Sequence, residues 1–446
     1  MISNAAERLD RLPISKFHYR ILIVLAVGMF FDGFDIYILS GIIASMAKNG
    51  WSTVQMNANL VSISFIGLFL GALISGFFSD RYGRRTMFIW QLLIYSIASL
   101  LCAVAINYEM LLIFRLIATA GLGGEIITGY TVFGEFIPPS KRGQWGSFLF
   151  LITNLSLPLA TFAGTLILPL SPEAWRWMFV LAGAPAFLCW LIQRHLPESP
   201  RWLETMGRNE EADRIVSSIE AEIEQSTGEE LPPATLKPYV QQEPVSVKQL
   251  FGKTLLPILI LCIGIYVLTN VIVYSFTTWL PSSFVQSGLS ITKSMGFTTI
   301  MMIGGPLGGL IGVLISDRLS RKWMVVTLSV VGAIVGYFYG ISQNSTQILV
   351  LGFAMTTVIY FIVCITWTTY IPEQFPTAVR ARGTGLGGSL GRLSAAGSPY
   401  LVVFLVNEFG FSGVLMAISI IFVLLALIVI LLGKETKGKS LEEINS

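Results

Sequence analysis

Residues 76–85 read Gly-Phe-Phe-Ser-Asp-Arg-Tyr-Gly-Arg-Arg, a charged turn set between two long apolar runs. Its core, Asp80-Arg81-Tyr82-Gly83-Arg84-Arg85, has a counterpart in Asp317-Arg318-Leu319-Ser320-Arg321-Lys322. Two further marks keep the same register. Glu135-Phe136-Ile137-Pro138, followed by Arg142, matches Glu373-Gln374-Phe375-Pro376, followed by Arg380. Glu198-Ser199-Pro200 matches Glu435-Thr436-Lys437. The offsets are 237, 238 and 237 residues. Three marks in one register point to a duplicated unit.

Around these marks the chain is apolar. Of its 446 residues, 54% are hydrophobic and 12% are Asp, Glu, Lys or Arg, about half the roughly 25% of a soluble protein. Mean hydropathy is +0.71. This excludes a disordered chain, a coiled coil and almost any soluble globular enzyme, because most of the surface needs a solvent other than water. A net charge of +3 is too small for a nucleic-acid binder. A helix crosses a bilayer core with about 20 apolar residues. Twelve stretches qualify: 20–44, 59–79, 87–107, 109–132, 145–168, 176–194, 255–278, 295–315, 323–341, 347–369, 384–405 and 411–432. The expected fold is an all-α membrane protein of twelve transmembrane helices in two parallel six-helix repeats. It divides into an N-terminal bundle over 1–194, a cytoplasmic linker over 195–254, and a C-terminal bundle with its tail over 255–446. Parallel repeats of this kind place a transport site at their interface, near the midplane.

Basic residues assign the sides. With both termini on one side, that side holds 24 of the 29 Lys and Arg, and the other holds only Lys48, Arg176 and Lys293. The positive-inside rule makes the termini and the loop motifs cytoplasmic. The first twenty residues are charged and the first apolar run is too long for a signal core, so no cleaved leader is expected. Cys102, Cys189, Cys262 and Cys364 fall inside apolar spans and read as small core residues. His18 and His195 lack the clustering of a metal site. No Gly-Lys-Ser/Thr loop is present for a nucleotide, and no cofactor is expected.

On these residues the chain resembles the major facilitator superfamily. The run Gly76 to Arg85 is similar to the pattern which that superfamily carries between its second and third helices. Pro197-Glu-Ser-Pro-Arg-Trp-Leu203 resembles a motif of the sugar-porter and organic-ion branches, as do Glu135, Pro138 and Arg142-Gly143. Lys434-Glu-Thr-Lys-Gly438 resembles the sugar-porter tail, with Lys434 where Pro is usual. Val313 stands where the second loop motif usually opens with Gly, a weaker copy. The candidate gating set is Asp80, Arg81, Arg84, Arg85, Glu135 and Arg142, with Asp317, Arg318, Arg321, Glu373 and Arg380. Acidic and basic members come together in each half. They suit cross-helix pairs that close one side and break when the halves rock; as a plain alternative, they anchor the topology.

Ionisable residues inside spans are costly and point to function. Span 1 contains Phe30-Phe31-Asp32-Gly33-Phe34-Asp35-Ile36-Tyr37. Asp32 and Asp35 share a face at a spacing of three, which suits a proton-coupling pair, Asp35 being the first choice. The string also resembles span 1 of aromatic-acid:proton symporters. The alternative is a structural pair to Arg115 or Arg392. Arg115 either snorkels or pairs with span 1. Glu125, within Gly121-Leu-Gly-Gly-Glu125, is either a second protonation site or a partner for a basic group.

Arg392 stands among small residues in Gly387-Gly-Ser-Leu-Gly-Arg392-Leu-Ser-Ala-Ala-Gly-Ser-Pro399. A guanidinium at that depth needs a carboxylate, either a substrate's or that of Asp35 or Glu125. The organic-ion branch resembles this segment, and there a basic residue before Ser-Pro accompanies anion carriers. That implies organic-anion preference. Tyr266, Asn270 and Tyr274 recur every four residues in span 7, and Tyr360 and Trp367 share a face in span 10. With Tyr130 and Asn154 they are candidates for a substrate pocket. Trp279, Trp323 and Tyr370 read instead as an interfacial belt. In the insert, 198–226 shows the periodicity of short amphipathic helices, and 227–247 reads as a linker.

The expectation is a non-enzymatic, proton-coupled importer of a small organic anion, working by alternating access. An aromatic or heteroaromatic carboxylate such as a hydroxybenzoate or nicotinate fits best. It would act as a monomer in membrane lipid, in the inner membrane of a bacterial-type cell. A sugar or polyol symporter, a drug exporter and a membrane sensor without flux are the competing readings.

Overall fold

Lys16–Lys48 is one continuous helix of 33 residues, long enough to carry the first apolar stretch from one membrane face to the other. The structure, a computed structural model, describes residues 5–193, 196–228, 230–233, 250–253, 255–315, 319–376 and 379–436. Along the first half run α1 (Ala5–Asp10), α2 (Lys16–Lys48), α3 (Val54–Tyr82), α4 (Arg84–Ala103), α5 (Tyr108–Phe136), α6 (Pro139–Ile167) and α7 (Trp175–Gln193). The insert forms α8 (Pro200–Thr205) and α9 (Asn209–Thr227). The second half comprises α10 (Leu256–Thr277), α11 (Leu280–Gln286), α12 (Ile291–Met302), α13 (Gly304–Ile315), α14 (Arg321–Ile341), α15 (Ser345–Ile365), a π turn (Thr366–Tyr370), α16 (Ile371–Gln374) and α17 (Arg380–Leu432).

Among the described residues, ten helical segments are long and apolar enough to span a bilayer. The last of them, Arg382–Leu432, is broken at Gly410, whose φ of +67° is left-handed and ends a helix without cost only at glycine. Counted as two, and with the shorter apolar helix Trp175–Leu191, these make the twelve expected spans. No strand occurs among the described residues. The insert pattern forms two helices joined by a short turn, with Ala212, Val216 and Ile219 buried on one face of α9.

Small residues decide which helices touch, since lipid supplies no hydrophobic drive between spans. A Cβ on Gly121 of α5 would meet the backbone of Gln91 and Tyr95 on α4 at 2.8 Å. Gly304 of α13 lies against Phe353 and Thr357 of α15, where a Cβ would be 2.6 Å from each. Gly391 of α17 faces Tyr266 and Asn270 of α10.

By packing, the chain forms two compact units. The first comprises Met1–Asp32, Gly67–Leu149 and Val180–Glu243, and the second Gly33–Ile66, Phe150–Phe179 and Pro244–Ser446. The packing division thus falls inside α2, α3, α6 and α7 and differs from the division by repeats at 194 and 255. Two members of the expected belt behave otherwise: Trp279 and Tyr370 are buried, and Trp323 is exposed. Their amphipathic rings are taken up by helix packing rather than by the membrane boundary.

Candidate functional site

In the second unit, Arg392 lies 12 residues into α17, roughly 18 Å from its start at the rise of an α-helix. Gly387, Gly391 and Ser394 bring this helix close to α10, the Ser394 hydroxyl donating to the Val267 carbonyl at 3.3 Å. That contact aims the guanidinium at the α10 face carrying Tyr266 and Tyr274, its two phenolic neighbours. Arg392 retains accessible surface at this depth. Among the described residues of this unit, no carboxylate forms an ion pair with it. The Tyr266 and Tyr274 hydroxyls also make no side-chain hydrogen bond there. Three polar groups on these two helices therefore lie within electrostatic range of one another with their bonding capacity open. A guanidinium so placed demands an anion.

The walls are aromatic and their orientations are held by short bonds. Trp367 stands in the π turn, its ring 5.6 Å from that of Tyr266, and its indole N–H donates to the Thr269 hydroxyl at 3.1 Å. Such turns widen a helix locally and often accompany functional sites. Phe65 packs on Tyr274 with centroids 4.3 Å apart. The Tyr37 and Tyr360 hydroxyls are 2.8 Å apart. Asn270 and Asn154 each donate to a carbonyl one turn back, at 2.7 Å, so each keeps its own amide oxygen as an acceptor. Of the seven residues expected to form the pocket, Arg392, Asn154, Asn270, Tyr274, Tyr360 and Trp367 share this unit. Tyr130 belongs to the first unit. Sequence reasoning passed over Tyr37, Phe65 and Thr269. The only signal for Tyr37 was a polar ring two positions after Asp35 in an apolar span.

The intramembrane carboxylates fall in both units. In the first unit, Glu125 of α5 lies within hydrogen-bonding reach of Asp32 of α2, and the two are 0% and 1% exposed. Asp32 therefore has an acidic neighbour on another helix, besides Asp35 three residues on along its own. Tyr130 and Cys189 border the same place. Beside Glu125, at Gly124, the Gln91 amide and the Thr128 hydroxyl are 2.8 Å apart, and Ser75 adds a hydroxyl 2.7 Å from Thr128. Asp35 belongs to the second unit and is fully buried. Arg115 is buried as well, so it does not snorkel to a headgroup layer.

The loop motifs form one charged cluster in each unit. In the first, Arg84 pairs with Asp80 and, at 3.2 Å, with Glu135, tying the end of α3 and the start of α4 to the end of α5. The Glu198 carboxylate accepts from the backbone N–H of Arg85 at 2.9 Å, an anion placed on a helix N-terminus. Arg201 donates to the Glu135 carbonyl at 3.0 Å and Trp202 to the Asp80 carbonyl at 2.9 Å. Arg81 is exposed and lies over the Tyr82 ring. In the second unit, Arg321 pairs with Glu373 at 3.3 Å, and Glu435 accepts from the Arg321 N–H at 3.1 Å. Arg380 opens α17. Asp317, Arg318 and the side chain of Arg142 lie outside the described residues.

The family described as "Sugar (and other) transporter" matches residues 21–446. The inner membrane metabolite transport protein YdjE of Escherichia coli is 35% identical over 444 residues, covering 98% of this chain and 97% of that protein. The niacin transporter NiaP of Acinetobacter baylyi is 33% identical over 449 residues, with 99% of each covered. Among solved structures, a D-xylose-proton symporter matches with a TM-score of 0.72 at 20% identity, over 95% of this chain and 99% of that one. A partially occluded, inward-open structure of the E. coli xylose transporter XylE matches with a TM-score of 0.75 at 18% identity, over 96% and 100%.

Proposed function

Because this multi-pass membrane protein belongs to the sugar (and other) transporter family of the major facilitator superfamily, and so is a transporter and not an enzyme, we propose that it imports a small organic anion together with protons. The observation that carries the anion is Arg392. A sugar or polyol offers hydroxyls, which leave a deep guanidinium without its counter-charge. A carboxylate meets both of its N–H donors in one bidentate contact and takes further hydrogen bonds from the Tyr266 and Tyr274 hydroxyls. The rings of Trp367 and Tyr266 favour an aromatic or heteroaromatic acid. A niacin transporter among the relatives supports that class.

The proton has a separate place. Asp32 and Glu125 satisfy each other once one of them carries a proton, and lose that bond when both are ionised. Proton binding there, with Asp35 farther along the same helix, alters the balance between the two access states. The six-helix repeats are the moving bodies and the insert over 195–254 is their link. The charged clusters at Arg84 and Arg321 brace one end of each. The positive-inside rule puts that end and both termini in the cytoplasm of a bacterial-type cell, under the inner membrane. The test is uptake of radiolabelled nicotinate, 4-hydroxybenzoate and xylose by proteoliposomes, with and without an inward proton gradient. Gradient-driven accumulation of an acid, lost in Arg392→Ala, is expected. Accumulation of xylose alone overturns the anion reading, and accumulation indifferent to the gradient overturns the proton.

A further inference from the structure

In the first unit, α4 touches both helices of the buried acid pair, each time beside the acid. On the α5 side, Gly121 and Gly124 share a face at a spacing of three. A Cβ on Gly121 would stand 2.8 Å from the Gln91 carbonyl oxygen and from the Tyr95 nitrogen, and one on Gly124 would stand 2.6 Å from the Gln91 amide. With its amide turned to satisfy both ends, Gln91 donates to the Gly124 carbonyl at 3.1 Å and to the Thr128 hydroxyl at 2.8 Å, and accepts from the Ser75 hydroxyl at 2.9 Å. One turn along α4, the Tyr95 hydroxyl donates to the Phe31 carbonyl of α2 at 3.4 Å. Gln91 and Tyr95 are both buried. Each bond lands on the peptide unit that leads into an acid, because Gly124 precedes Glu125 and Phe31 precedes Asp32. Helix α4 is itself fixed at its start, where Arg84 pairs with Asp80 and Glu135 and the Glu198 carboxylate takes the Arg85 N–H.

We propose that Gln91 and Tyr95 are the positioning residues of the proton site: one helix grips the backbone beside both acids and sets the distance across which Asp32 and Glu125 share a proton. This rests on the reading of that pair as the proton site. A hydrogen bond between a carboxyl and a carboxylate weakens steeply as the oxygens separate. When both acids are ionised they repel, and lipid supplies no hydrophobic drive to hold α2 against α5. The bonds from α4 oppose that repulsion, so the pair is still within reach when a proton returns. Gln91 has no proton to exchange, and Tyr95 gives its own to a backbone carbonyl, so both act through geometry. The ionisable groups that face the pair are Tyr130 on α5 and Cys189 on α7, with Asp35 three residues along α2. Among the described residues, α3 adds the Ser75 hydroxyl and α4 adds Tyr95 itself. Two bonds that merely packed the bundle would change its stability and leave its proton affinity alone.

The experiment uses the full chain in nanodiscs and needs no substrate. Infrared spectra taken across a pH series show the protonated-carboxyl stretch. The part of that band altered in both Asp32→Asn and Glu125→Gln belongs to the pair. Tyr95→Phe removes one hydroxyl, and Gln91→Met removes the amide at nearly constant length. Each is expected to raise about tenfold the proton concentration at which the pair's band is half-formed. Thermal unfolding is measured alongside, and Tyr95→Phe, the milder change, carries the test where Gln91→Met fails to fold. A band with unchanged proton dependence in these variants overturns the positioning role, and a lowered unfolding temperature with it leaves the two bonds as packing contacts. If Asp32→Asn and Glu125→Gln leave the whole band as it is in the unsubstituted chain, the proton pair itself falls and the positioning role falls with it. If they alter the band while Gln91→Met and Tyr95→Phe do not, the positioning role falls and the pair stands.

Discussion

The Glu198 carboxylate sits on the first turn of α4, accepting the Arg85 backbone N–H at 2.9 Å. In the second repeat Glu435 takes the corresponding seat on α14, accepting from Arg321 at 3.1 Å. The two repeats make room for the acid differently. Gly83 holds φ at +100°, and a Cβ there would run into the Glu198 carboxylate. Its counterpart Ser320 has ordinary φ and donates its hydroxyl to Glu435.

Gly83→Ala should therefore destabilise the first repeat, by about 1–3 kcal/mol from backbone strain and displacement of Glu198. Thermal unfolding in detergent checks it. Glu198→Gln, which keeps the shape and removes the charge, should cost less, about 0.3–1 kcal/mol.

Arg392→Lys keeps a cation but loses the planar fork. Acid uptake should fall about 10- to 100-fold through weaker binding, the worth of a charge-assisted hydrogen bond. Arg392→Ala should abolish it. Concentration-dependent uptake in proteoliposomes measures both.

Glu125→Gln and Asp32→Asn each replace one acid of the buried pair by a group that cannot exchange a proton. Accumulation against a concentration gradient should be lost, while exchange of internal for external acid continues. Paired uptake and counterflow assays separate the two. Full accumulation in both variants would remove the pair from proton coupling.

The N-terminal helix α1 is held to the insert by charges outside the membrane. Arg8 reaches Asp213 and Glu220 at 2.5 Å each, and Arg11 reaches Glu220 at 2.6 Å. Burial pushes the Glu220 carboxyl up, but hydrogen bonds from Arg8 and Arg11 and their charges outweigh it and hold it below its usual value. A group lowered in this way contributes fully above its unfolded value, about 4.3, and its contribution is lost as pH falls through the lower folded value. Hydrogen-exchange protection of residues 5–10 should be constant from pH 7 to about 5 and decline below about 4.3. Glu220→Gln should show the loss already at pH 7.

Much of the site was legible in one dimension because membranes penalise charge. Two Arg, a Glu and two Asp inside apolar spans stand out wherever they fold, and the loop acids and bases advertise themselves by repeating. Tyr37 and Phe65 did not stand out. A tyrosine or phenylalanine in a span is ordinary composition, and only the approach of α2 to α15 and of α3 to α10 brings them into the pocket wall. Asp32 and Asp35 show the opposite difficulty. Their spacing on one helix suggests a pair, but proximity along one helix says nothing of what another helix adds, and α5 adds Glu125 beside Asp32.

By itself the sequence determined the number of spans, their duplication and the charge bias that reads as sidedness. These follow from transfer free energies and from the order of residues, which are local and additive. Tertiary structure decided the partners: Glu125 beside Asp32, Glu198 on α4, and Phe65 against Tyr274. Those relations depend on which glycines let two helices approach and at what height, a property of pairs of helices that neither helix encodes alone.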